Sequence, residues 1–241
     1  MKQPVFNTFI LLSMLLSNMS GYALNNYYFN IISRDKGLSQ TNVKAIIQDS
    51  NGFMWFGTRN KLNRYDGNTF KVFDCYDHVA QKQNNNISSL FEDKEKQLWV
   101  GTDNGVFRLN PQTGKFTYMN TQTSEGITMT DWISDIKEDK DGNIWICFEN
   151  YIGKYCPERR EFETYDSANL HTDLQISEAH PAIDRRGAMY IGTNQGVLRL
   201  RLYDLKKSHF VPRIVYTGVN IQNSDGTAYT SILVADSLVL S

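Results

Sequence analysis

Cysteine is scarce: Cys75, Cys147 and Cys156 are three in 241 residues, an odd number with no C-x-x-C pair, which excludes a disulfide framework and a zinc-ribbon spacing. A Cys147–Cys156 bridge is conceivable in an oxidising compartment, but the hairpin joining the two would not set them opposite each other, so free, partly buried thiols are expected. The four histidines, His78, His171, His180 and His209, form no metal-spaced pair. Neither a glycine-rich phosphate loop nor a nucleophile elbow is present, and Gly57-Thr58 is followed by no Gly-Lys-Ser/Thr. The chain is therefore expected to hold no metal and no cofactor. Its formal net charge of -1 and scattered Lys and Arg exclude nucleic acid and an anionic membrane surface as obvious partners.

Long apolar runs are also missing. Phe9 to Leu16 is short of the roughly 20 residues a span needs, and "SILVADSLVL" near the C-terminus is interrupted by Asp236. With basic Lys2 before the first run and small residues at Gly21-Tyr22-Ala23, residues 1–23 read as a secretory signal peptide cleaved after Ala23. The mature chain is expected in the periplasm, with no membrane span. Its 41% hydrophobic and 12% aromatic content suffices for one large domain or two ordinary ones.

Self-similarity organises what is there. Asp49, Asp93, Asp139 and Asp184 each stand six residues before an aromatic: Trp55, Trp99, Trp145 and Tyr190. Two residues later come Gly57, Gly101, Cys147 and Gly192, and seven beyond those Arg64, Arg108, Lys154 and Arg199. The aromatic spacing is 44, 46 and 45, the period of a repeat architecture.

Each unit reads as strands. Apolar residues leading to the Asp form a first strand, "DSNG", "DKEKQ", "DKDG" and "DRRG" are turns, and "FMWFGT", "LWVGT", "IWICF" and "MYIGT" a second strand whose aromatic packs in a core. A polar hairpin leads to a third strand ("LNRY", "VFRL", "IGKY", "VLRL") and then a fourth ("FKVF", "KFTYM", "EFETY"). The fold class is all-β: four β-propeller blades at about 41–75, 85–120, 131–166 and 176–203 within a repeat region 24–210, a partial or four-bladed propeller. The fourth unit departs from the others, with Pro181 in its first strand and no fourth-strand match. Residues 26–33 alternate like an unattached strand, and Tyr28 to Ile32 is expected to pair beside Val197 to Leu202, closing the last blade.

"GLSQTNVKAIIQDSNGFMWFGTRNKLNRYDG", Gly37 to Gly67, resembles the opening blade of the two-component regulator propellers in periplasmic sensor regions of Bacteroidota hybrid two-component systems. Residues 211–241 resemble the start of the triple-tyrosine immunoglobulin-like domain that follows such propellers. The resemblance implies an extracytoplasmic sensor of oligosaccharides. It departs in size: the relatives typically carry two seven-bladed propellers and continue into a membrane helix, a histidine kinase, a receiver and a DNA-binding domain. Against them this chain reads as truncated and non-enzymatic, without the kinase domain. It is either a working fragment or a broken gene, with self-association to close a ring open to it.

Antiparallel geometry puts first-strand starts and the hairpins between second and third strands on one rim. That rim carries Asn42, Asn86, Asp131 and Trp132 from the strand starts, and Arg59, Asn60, Lys61, Asn104, Asn150, Tyr151, Asn194 and Gln195 from the hairpins. Amides beside aromatics suit sugar hydroxyls and ring faces, although tight turns also favour Asn and Asp. Trp132 lies outside the repeated aromatic register, so blade packing does not account for it. The repeated bases read as structural partners of a neighbouring acid or carbonyl rather than as an anion site. His180, in a first strand, is the one candidate base for a propeller lyase or hydrolase acting on a small molecule.

Overall fold

One aspartate starts each blade's second strand. In the computed structural model, which describes residues 29–124, 126–166, 170, 180–205, 219–222 and 228–231, the Asp N–H of every unit bonds the carbonyl four residues on, at 2.8 to 3.0 Å. The carboxylate Oδ1 accepts the N–H of that same residue: Phe53 at 2.9 Å, Gln97 at 2.8 Å, Asn143 at 2.9 Å and Ala188 at 2.9 Å. The turn is thus closed by main chain and side chain together, as short polar side chains do at tight turns.

The second oxygen reaches the repeat's aromatic. The indole N–H groups of Trp55, Trp99 and Trp145 donate to Oδ2 of Asp49, Asp93 and Asp139 at 2.7, 2.7 and 2.8 Å, and the Tyr190 hydroxyl donates to Asp184 at 3.1 Å. All three indoles are fully buried, where an unpaired N–H would be costly. The motif is therefore more than turn chemistry followed by core packing: it is a clamp tying one to the other.

The strands that follow are meanders. Sheets of four antiparallel strands run from Val43–Gln48 to Phe70–Phe73, from Ile87–Glu92 to Lys115–Tyr118 and from Ile133–Glu138 to Glu161–Asp166. A fourth sheet has three strands, Ala182–Ile183, Ala188–Thr193 and Gly196–Arg201. In the first three sheets the register slips once in the first strand, at Val43/Ala45, Ile87/Ser89 and Ile133/Asp135, a recurrent bulge. Val219–Gln222 pairs with Ala228–Ser231 as a hairpin.

Three apolar clusters hold the blades in sequence, joining first to second, second to third and third to fourth. Among the described residues the blades form an open arc, none of these clusters joining fourth to first. The repeat glycines mark where blades press together: a Cβ on Gly57 would stand 2.5 Å from Ile87 Cγ2, and one on Gly101 2.7 Å from Ile133 Cγ2, both far inside van der Waals contact. A small hairpin, Tyr76–Asp77 with Lys82–Gln83, links the first two blades. Buried Asp77 there accepts the Tyr118 N–H at 2.7 Å.

Two expectations are corrected. Residues 29–33 carry no strand, and among the described residues the third strand of the last sheet pairs only with its second; Tyr28 itself lies outside the described residues. The chain turns through Arg34–Lys36 and Gly37 (φ 105°), and the Ser39 N–H then bonds Asn63 Oδ1 at 2.8 Å, which anchors this end to the first blade. Three of the four repeated bases lie over rings. Register sets Trp55 opposite Arg64, Trp99 opposite Arg108, Trp145 opposite Lys154 and Tyr190 opposite Arg199. Arg64, Lys154 and Arg199 lie 5.9, 5.8 and 5.8 Å from their ring centroids, cation–π distances, because the clamp already occupies the acid. Residues 1–23 and most of 211–241 lie outside the described residues.

Candidate functional site

The rim is built by Gly-Thr. Thr58, Thr102 and Thr193 each donate to the carbonyl three residues on, at 3.0, 2.7 and 2.9 Å, and accept the N–H two residues on, from Asn60, Asn104 and Gln195 at 3.0, 3.2 and 3.2 Å. The hairpins between second and third strands are thereby fixed from within. The strand starts join them: Arg59 N–H bonds the Asn42 carbonyl and Asp103 N–H the Asn86 carbonyl, both at 3.2 Å. Neighbouring blades are stitched along the same rim by Lys61 N–H to the Asn85 carbonyl at 2.9 Å and Gly105 N–H to the Asp131 carbonyl at 3.3 Å.

On this frame Arg59 and Asn60 of the first blade, Asn104 of the second, Asn150 of the third, and Asn194 and Gln195 of the fourth are exposed at hairpin tips. Asn86 is tied by its amide to Asp103 at 2.6 Å, and Lys61 pairs with Asp74 at 3.2 Å. The third blade differs. Phe148 replaces the threonine, and its ring stacks on Tyr151, centroids 4.2 Å apart and planes 16° off parallel. The Tyr151 hydroxyl donates to Asp131 at 2.9 Å; burial, then this acid, hold the phenol above its ordinary pKa, so it stays a donor. Trp132 is half-buried beside Asp131. The corner offers aromatic surface, a phenol and a carboxylate within a few residues.

Inside the rim lies a polar group that sequence reading missed. Asp135 is buried at the third blade's bulge, its Oδ2 2.6 Å from Lys137 Nζ and 3.4 Å from His180 Nδ1 of the fourth blade. In the repeat frame Ala45, Ser89, Asp135 and His180 are equivalent, so aligning units would have exposed an acid and a histidine side by side. Cys147 faces Asp135 across the strands, and burial, then this acid, push its thiol up to about 12, which leaves it un-ionised and inert. All three cysteines are free and buried, as expected.

The opposite rim has a cleft of about 470 Å³ between the second and third blades, lined among others by Arg108, Lys154 and Arg159 but also by Asp93, Glu138, Asp141 and Glu158. With acids at least matching bases it makes no anion site. Among the described residues there is no grouping of His, Cys, Asp and Glu suited to a metal ion and no helix long and apolar enough to cross a membrane.

A family model, the two component regulator propeller, matches residues 37–60, 81–104 and 129–150. Three segments of the chain therefore match the two-component regulator propeller repeat. These segments are the turns, clamps and rim hairpins of the first three blades. A histidine kinase of Formosa agariphila is 45% identical over 49 residues, 20% of this chain and 4% of that protein. The extracellular domain assigned to a hybrid two-component system of B. thetaiotaomicron superposes with a TM-score of 0.61 at 22% identity, over 84% of this chain and 32% of its own. A second from the same organism gives 0.61 at 20%, over 86% and 26%. The chain thus spans a third or less of these relatives. The superpositions establish a propeller-like fold.

Proposed function

We propose that the chain is the extracytoplasmic ligand-sensing part of a two-component signalling protein, that its ligand is an oligosaccharide, and that it has no catalysis of its own. The regulator propeller repeats support the sensor assignment. The observation that carries the ligand class is the third blade's corner, where Trp132 and the Phe148–Tyr151 stack supply faces for sugar C–H surface while Asp131, Tyr151 and neighbouring Asn150 supply donors and acceptors. Export through the N-terminal segment belongs to the same reading.

Thermal shift against a glycan panel tests it. A saccharide at a hundred times its Kd raises stability by about 2.7 kcal/mol, and Trp132→Ala abolishes that shift while leaving the unliganded melt close to wild type. A panel with no stabilising saccharide sinks the ligand assignment.

A second reading, a lyase or hydrolase acting on a small molecule, draws on Asp135 standing 3.4 Å from His180 Nδ1, an arrangement in which the acid orients an imidazole base. It requires a turnover that His180→Ala removes.

A further inference from the structure

Among the described residues the same blade-to-blade contact is made three times, and each of its two halves is left exposed once, at opposite ends of the arc. One half is the face a blade offers to its predecessor. Leu90 of the second blade and Ile136 of the third lie on it, 6% and 0% exposed; the equivalent Ile46 of the first blade is 57% exposed. Around Ile46 the same face presents Phe56, Tyr65 and Phe70, in mutual ring contact at 4.7 to 6.5 Å, and Val72 at 41% exposure. Where the first blade has Phe56, the later blades have fully buried Val100, Ile146 and Ile191.

The other half is the clamp-bearing face a blade offers to its successor. Leu62, Val106 and Ile152 of the first three blades are each 0% exposed, whereas the equivalent Val197 of the fourth is 72% exposed. Tyr190 and Arg199 stand beside it on a face that in the earlier blades is sealed by the next sheet. The first-blade end is thus an apolar cluster, the fourth-blade end carries exposed Val197 beside Tyr190 and Arg199, and each is the mate of the other in an interface the sequence already encodes.

We propose that two copies of this chain associate head to tail, the fourth blade of each covering the first blade of the other. The contact is heterologous, so it must either close or polymerise. Closure between two copies covers both bare faces at once.

Sedimentation and light scattering on the full chain test this. The expected species at about 10 to 100 μM is a dimer that dissociates on dilution. Ile46→Asp blocks one end and Val197→Asp the other; both sites are exposed in one copy, so each variant should keep the wild-type circular dichroism and monomer melt. Each alone is expected to be monomeric, its dimer weakened at least about tenfold, because every contact between identical copies needs both ends. Mixed together they regain one intact contact, and a tagged Ile46→Asp chain retains untagged Val197→Asp. A monomeric wild-type chain overturns the proposal. So does a dimer that survives in either variant, or a mixture that fails to pair.

Discussion

The third and fourth repeats obey one sequence rule and end in different surroundings. In both, the aspartate closes its turn by accepting N–H groups two and four residues on, at 2.8 to 2.9 Å, and accepts the aromatic at its second oxygen. Yet Trp145 is fully buried and Tyr190 is not. The third repeat's first strand has six residues and the fourth's only two. The seams differ as well: Ser50 N–H bonds Glu92 at 2.7 Å and Lys94 N–H bonds Glu138 at 3.1 Å across the first two, but the equivalent residue of the fourth blade is Ile183. The clamp is thus a local device that forms wherever the motif is written, while its depth depends on the blade that follows. Removing each ring in turn separates the clamp from its depth. Trp145→Ala should cost about 3–5 kcal/mol and Tyr190→Ala only about 1 kcal/mol, read as shifts in the urea midpoint followed by circular dichroism. Equal losses would show that depth has no bearing on the clamp.

The seams sharpen the same contrast. Gly101 sits where a Cβ would stand 2.7 Å from Ile133 Cγ2, whereas the third repeat accommodates a buried cysteine at the matching Cys147, opposite a blade whose first strand begins only at Ala182. Pro181, with no N–H to give a ladder, helps keep that strand short. Gly101→Cys, which writes the third repeat's choice into the second, is expected to cost about 1–3 kcal/mol by overpacking. The complementary trim Cys147→Ala should cost about 1 kcal/mol. Thermal melts of the two variants rank the seams directly, and a harmless Gly101→Cys would mean that the second seam is as loose as the third.

What could be read from the sequence was whatever repeats and whatever is local. Asp and aromatic lie six residues apart in one hairpin, so counting finds them and turn chemistry explains the acid; four blades and their strand order follow. The clamp's hydrogen bond is not legible in spacing, which core packing of the indole already explains, although a buried indole N–H usually finds an acceptor. The ring partners of Arg64, Lys154 and Arg199 follow from cross-strand register, which spacing alone leaves ambiguous between ring and acid. Of the rim candidates, Tyr151 and Asp131 proved to be bonded to each other, a contact across 20 residues that no local pattern shows. Asp135 and His180 are 45 residues apart in chain and meet only because adjacent blades bring equivalent positions together. The N-terminal alternation in 26–33 misled because period two signals a strand's faces but not its partner. Ser39 and Asn63 hold this end to the first blade.

The smallest contrast is in acid. Asp139 is held below the ordinary carboxylate range: burial pushes it up, but the Trp145 indole, the Asn143 amide and the N–H groups of Asn143 and Asp141 outweigh that. Asp184 is also held low, chiefly by the Ala188 N–H, against weaker burial, with Arg186 N–H and the Tyr190 hydroxyl assisting. Because both folded values lie below the unfolded one of about 3.9, the unfolded chain takes up protons first as pH falls. Each clamp's ionic contribution is therefore complete above about pH 4–5 and lost as pH drops through the unfolded and then the folded value. Asp139→Asn should flatten the fall in urea midpoint between pH 5 and pH 3, since one depressed carboxylate no longer titrates. Asp184→Asn should flatten it less, because water at the open end of the arc screens its charge and already solvates it. If the two variants flatten the profile alike, the turn's backbone N–H groups, common to both, set the acid response, and the covering blade adds packing without electrostatic weight.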